Sequence, residues 1–104
     1  MQAVSLDDQG FLLDLNEWNE ALAEEIALGE GIHLTPDHWE IIKLLREFYI
    51  EFNISPAMRI LVKQTKIKLG EAKGNSHYLL KLFPGSPAKL ASKIAGLPKP
   101  TNCL

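Results

Sequence analysis

The chain has 104 residues, 46% apolar and 23% charged, with a formal net charge of −2; this fits one folded domain and excludes both two independent cores and the polar, highly charged composition of a disordered chain. One cysteine, Cys103, leaves no partner for an internal disulfide. The small net charge hides a division: through Ile54, twelve acids stand against Lys43 and Arg46, a balance of −10, whereas from Ser55 onward Glu71 stands against nine bases, a balance of +8. Such asymmetry points either to a polar partner for the basic half or to two halves that attract each other in the fold.

In chain order, Val4 and Leu6 alternate with polar neighbours, Asp7-Asp8-Gln9-Gly10 supplies turn residues, and Phe11 to Leu13 returns, which predicts an N-terminal β-hairpin over about residues 3–14. A helix follows in "NEWNEALAEEIAL", capped by Asn16, with Trp18, Leu22 and Ile26 on its core face and glycines 29 and 31 ending it. Thr35-Pro36-Asp37 opens the strongest helical pattern, whose stripe of Ile41, Leu45, Phe48 and Phe52, widened by Ile42 and Tyr49, predicts a central position in the bundle. Ser55-Pro56 opens another helix running to Gly70, with Met58, Leu61 and Val62 facing inward. Asn75 caps a short helix that Pro84-Gly85 ends, and Ser86-Pro87 starts a last one that stops at Gly96. The expected fold is mainly α: a bundle of about five helices over residues 1–95, carrying the N-terminal β-hairpin, then an extended, flexible C-terminal arm over 96–104. The longest apolar stretch, around Ile41 to Ile54, carries Lys43, Arg46, Glu47 and Glu51 and is no membrane span. With no leader pattern, the expected setting is the reducing cytoplasm.

Candidate chemistry is sparse. His33, His38 and His77 lack metal-ligand spacing, so capping, surface or packing roles fit them, and no metal or cofactor is expected. Glu17, Glu20, Glu24 and Glu25 read as the wet side of an amphipathic helix rather than paired catalytic carboxylates. Neither a phosphate-cradling loop nor a nucleophile elbow is present. Arg59, Lys63 and Lys66 collect on one helical stripe after a helix-turn-helix-like junction, "FNISPAM". A nucleic-acid-binding or regulatory module is therefore an alternative, opposed by a pI near 5.9 and by Gln64 being the only amide in that helix.

The ending, "GLPKPTNCL", carries the most information. Pro98 and Pro100 favour polyproline II, so nine residues from Gly96 would reach on the order of 28 Å as a semi-stiff arm with Cys103 near its tip. An exposed thiol on such an arm suits thiol exchange inside another protein's site; Lys99 supplies positive charge and the terminal carboxylate of Leu104 works the other way, so a partner's pocket would have to activate the sulfur.

Three segments, "EGIHLTPDHWEIIKLLREFYIEFNISPAMRILVK", "KGNSHYLLKLFPGSPAKLASKIAGLPKP" and the ending with its penultimate cysteine, resemble the TusE/DsrC family of small sulfur carriers, the dissimilatory sulfite reductase gamma-subunit-like proteins. The resemblance implies a mainly helical fold, a mobile C-terminal arm and a penultimate cysteine, here Cys103, that carries sulfur as a persulfide. Two-cysteine members of the family have a second cysteine eleven residues earlier, where this chain has Ser92. That departure fits the single-cysteine TusE type, a sulfurtransferase taking sulfur from a TusBCD-like donor complex and passing it to a tRNA thiouridylase that makes wobble 2-thiouridine. The alternative within the family is DsrC-like sulfur trafficking in sulfur oxidation or sulfite reduction. The expected site is Cys103, with Arg59, Lys63, Lys66 and Lys99 as partner-docking residues.

Overall fold

A computed structural model describes residues 4–100. Five α-helices build the fold: α1 (Glu20–Gly29), α2 (Pro36–Phe52), α3 (Met58–Leu69), α4 (Ser76–Leu82) and α5 (Pro87–Ile94), preceded by a short 3₁₀ turn at Leu15–Glu17. The helical bundle is as expected, but the N-terminal β-hairpin is not formed: among the described residues there is no strand, only one isolated antiparallel bridge between Leu6 and Leu12. Two local causes are visible. Phe11 and Leu12 are both buried, at 2% and 4% exposure, and adjacent side chains on a pleated strand point to opposite faces. The Asp7 carboxylate accepts from the backbone N–H groups of Gln9 and Phe11, tightening the turn, and Asp14 then caps the 3₁₀ turn and ends the returning segment after Leu13.

Caps locate the helices more finely than periodicity does. Asn19, not Asn16, caps α1 through Leu22 N–H, so Trp18 lies before the helix and is free to reach another element. Thr35 caps α2 as expected, and the reciprocal partner in its capping box is His38 where Glu or Gln is usual. The His38 ring is buried. Its Nδ1 accepts from Thr35 N–H at 3.1 Å, its Nε2–H donates to the Leu82 carbonyl at 2.8 Å, and it meets Phe83 edge-on at 5.1 Å. One imidazole thus joins the start of α2 to the end of α4. His38→Ala removes both hydrogen bonds and leaves a void, so a loss of about 3 kcal/mol in urea denaturation is expected, with His38→Gln recovering part of it; equal losses for the two would refute the bridging role.

The hub is α5 rather than α2: it packs against all four other helices, and α2 also packs on α3. The reason is side-chain size. Ala88, Ala91, Ser92 and Ala95 are buried around α5 and let neighbouring helices approach closely, while Ile94 fills the space between them. In α2, Ile41, Ile42, Leu44 and Leu45 are buried, but Phe52 in the last turn is exposed and meets Phe48 in a tilted ring contact at 4.6 Å. A left-handed Asn53 ends α2.

Among the described residues, the charged halves meet at two places. Lys73 lies 2.6 Å from Glu40 and 3.7 Å from Asp37, and Lys93 lies 2.9 Å from Glu30. Beside the first pair, burial pushes the Tyr78 phenol above its usual range. No helix among the described residues is long and apolar enough to cross a membrane.

Candidate functional site

Cys103 lies outside the described residues, as do Thr101, Asn102 and Leu104. What the structure defines is the segment leading up to that cysteine, and it changes the expected arm at its root: Gly96 to Pro100 lie against the bundle rather than standing away from it. Leu97 is 2% exposed, Pro100 is fully buried, and Ser55 Oγ donates to the Pro98 carbonyl at 2.5 Å. Lys99, between those prolines, is exposed. The Ser55 contact also explains why α3 starts later than expected. Its N-cap is Ala57, without a side-chain cap, because the Ser55 hydroxyl is spent on the tail.

The root itself is a fully satisfied helix end. Gly96, at φ +72°, follows α5 in a Schellman arrangement: Gly96 N–H donates to Lys93 O and Leu97 N–H to Ser92 O. The next two carbonyls would be orphans at an ordinary helix C-terminus. Here the Trp18 indole N–H donates to Ile94 O at 2.9 Å, and Arg46 Nη1 donates to Ala95 O at 2.6 Å. The Arg46 guanidinium sits 3.9 Å above the Trp18 ring, so the two donors also hold each other. Burial draws the Arg46 pKa below its ordinary value, a cost offset by the carbonyl, by the negative end of the α5 dipole and by the indole face. Gly96 lies so close to Trp18 that an added Cβ would stand 2.3 Å from indole Cδ1. Sequence reading put Trp18 in the core face of α1 and gave Arg46 no role; their convergence joins residues 18, 46 and 94–96, and no local pattern announces it.

Ser92 is 0% exposed on α5, and its hydroxyl has no partner among the described side chains and backbone. It directly supports the root, since its carbonyl receives Leu97 N–H. The expected docking cations are placed as follows. Arg59, Lys63 and Lys66 are exposed along α3 and make no ion pair among the described residues, unlike Lys73 and Lys93. Lys99 is apart from that stripe in sequence but adjoins the Pro98 carbonyl tied to Ser55, two residues before α3's cap.

The family described as "DsrC like protein" matches residues 1–104. Among individual relatives, the chain is 56% identical over 101 residues to "Sulfurtransferase TusE" of Salmonella typhimurium strain LT2, covering 97% of this chain and 93% of the relative. It is 54% identical, with the same coverage, to "Sulfurtransferase TusE" of Escherichia coli strain K12. Among solved structures, the fold is similar to that of Allochromatium vinosum DsrC, with a TM-score of 0.88, 48% identity, and 97% and 90% of the two chains covered. It is similar also to the oxidized gamma-subunit of the dissimilatory sulfite reductase (DsrC) from Archaeoglobus fulgidus, with a TM-score of 0.84, 44% identity and 97% and 92% covered. A match over the whole length, together with relatives above half identity, means that the chain belongs to the DsrC-like family.

Proposed function

We infer that the chain is a sulfurtransferase of the TusE type, a sulfur carrier working in tRNA thiolation. The observation that carries this reading is 54–56% identity to TusE sulfurtransferases over 97% of the chain. For the finer steps, we propose that Cys103 is the carrier residue, that a TusBCD-like complex is the donor, that a tRNA thiouridylase is the acceptor, and that the exchange takes place in the cytoplasm.

The chemistry needs one thiol. Cys103 thiolate attacks the outer sulfur of a donor persulfide; the donor's S–S bond breaks, its inner sulfur leaves as a thiolate, and a new S–S bond forms as Cys103–S–SH. An acceptor thiolate then attacks that outer sulfur, and Cys103 leaves as thiolate. A sulfane sulfur changes hands in each step, with no external oxidant or reductant. Two-thiol members can close a ring between their cysteines; with Ser92 in the second place, this chain has no sulfur with which to do so. The root at Gly96–Pro100 supports the carrier reading because it sets the span of the tip: only Thr101 and Asn102 separate Pro100 from Cys103, at most about 10 Å of chain. Donor and acceptor must both bring their cysteines to that one place.

The test is intact mass. Incubated with a cysteine desulfurase and the donor complex, the protein is expected to gain the mass of one sulfur atom, lost again on reduction with dithiothreitol. A complete donor system that leaves the mass unchanged would overturn the proposal.

A further inference from the structure

The cations of α3 were anticipated as a stripe; the structure shows what lies beside them. Ile60 and Ile67 stand at i and i+7, with Lys63 between them, on the face opposite the buried Leu61 and Thr65. They are 38% and 63% exposed. Arg59 and Lys66 lie beside this face, on its Lys63 side, and Ile54, 60% exposed, lies in the connection between α2 and α3. A helix face built this way is neither the ordinary solvated side of an amphipathic helix nor a purely cationic strip.

We propose that this face of α3, with Ile54, is the surface on which the sulfur-donating protein docks, and that the donor presents an acidic rim around an apolar centre; the proposal rests on the sulfur-carrier reading above. Three observations carry it. The face begins where the tail is anchored, since Ser55 holds Pro98 one residue after Ile54 and two before the α3 cap. With about 10 Å of chain beyond Pro100 and a helix of 12 residues spanning about 18 Å, the whole face falls within the footprint of a standard protein contact made at Cys103. The charge is available, because Arg59, Lys63 and Lys66 have no acidic partner among the described residues while Lys73 and Lys93 do.

The isoleucines argue for protein rather than RNA. Phosphates need only the cations and draw nothing from an apolar ridge, whereas a protein surface gains by covering it. The choice between donor and acceptor follows from charge. An enzyme that grips tRNA must present cations of its own, and these would be repelled by α3; an acidic patch belongs to the donor.

The experiment measures sulfur loading of Cys103 against donor-complex concentration for Lys63→Glu, Ile67→Gln and, as a control on another helix, Lys81→Glu. Lys63→Glu is expected to raise the half-saturating concentration about fivefold or more at low salt with the saturating rate unchanged, and the difference shrinks as salt rises. Ile67→Gln should raise it about threefold at every salt concentration, and Lys81→Glu should stay within about twofold of wild type. Loading curves for Lys63→Glu and Ile67→Gln that coincide with wild type overturn the proposal. So does unchanged loading by Ile67→Gln while Lys63→Glu weakens binding to tRNA, which would make the face an RNA contact. A wild-type protein that takes up no sulfur refutes the carrier reading instead, and direct binding of the donor complex to the same variants then decides the face by itself.

Discussion

Cys103→Ser is expected to take up no sulfur, lowering transfer to the acceptor by about a hundredfold or more, to background. The substitution exchanges one atom, so the comparison isolates chemistry from size. A serine hydroxyl at neutral pH is neither ionised nor able to hold a sulfane sulfur, and no other sulfur nucleophile exists in the chain: besides Cys103 the only sulfur atoms are the thioethers of its two methionines. Intact mass after incubation with the donor system reads the loss directly, and 2-thiouridine in tRNA from cells carrying the variant reads it at the end of the relay. Thermal melting of the two proteins should coincide. Retained sulfur mass on the variant, or normal 2-thiouridine, would remove Cys103 from the mechanism.

Gly96→Ala is expected to cost about 3 kcal/mol, from two separable sources. Alanine at φ +72° loses about 1 kcal/mol relative to glycine, because a Cβ crowds its own backbone in the left-handed region. The new methyl would stand 2.3 Å from the Trp18 ring, and making room for it costs about 2 kcal/mol more, since Trp18 is held by Ile94 O on one side and Arg46 on the other. For a domain of this length the sum corresponds to a fall in melting temperature of roughly 10–20 °C. Gly85→Ala is the internal control. It has φ +94° and open space where the methyl would go, so it should lose only the backbone share, about 1 kcal/mol. Equal losses at 85 and 96 would mean that the Trp18–Gly96 contact does not constrain the root. If the contact does constrain it, Gly96→Ala should also slow sulfur loading at sub-saturating donor, because a displaced root sends the tip of the tail to the wrong place.

The helices show what one-dimensional reading captures. Apolar spacing and the Thr35-Pro36 and Ser86-Pro87 starts place α2 and α5, and Asn75 places α4, because caps and periodicity act within a single turn. Alternation near the N-terminus misleads for the complementary reason. Two short runs cannot form a ladder when the packing that wants Phe11 and Leu12 buried together overrides the pleat. Likewise Ser55-Pro56 has the form of a helix start, but the Ser55 hydroxyl satisfies a carbonyl 43 residues away.

The candidate site divides along the same line. Cys103 is the one cysteine in the composition, the family resemblance sets Ser92 where two-thiol members carry a second cysteine, and the cation spacing along α3 follows from helical geometry, so each is readable without coordinates. The clamp of Trp18 and Arg46 on the end of α5, the burial of Pro100 and the exposure of Ile60 and Ile67 beside the cations were decided only by tertiary structure. They depend on which surfaces the helices hide from one another and on which backbone carbonyls remain unpaired once the bundle has closed, and both quantities belong to the assembled fold rather than to any segment of it.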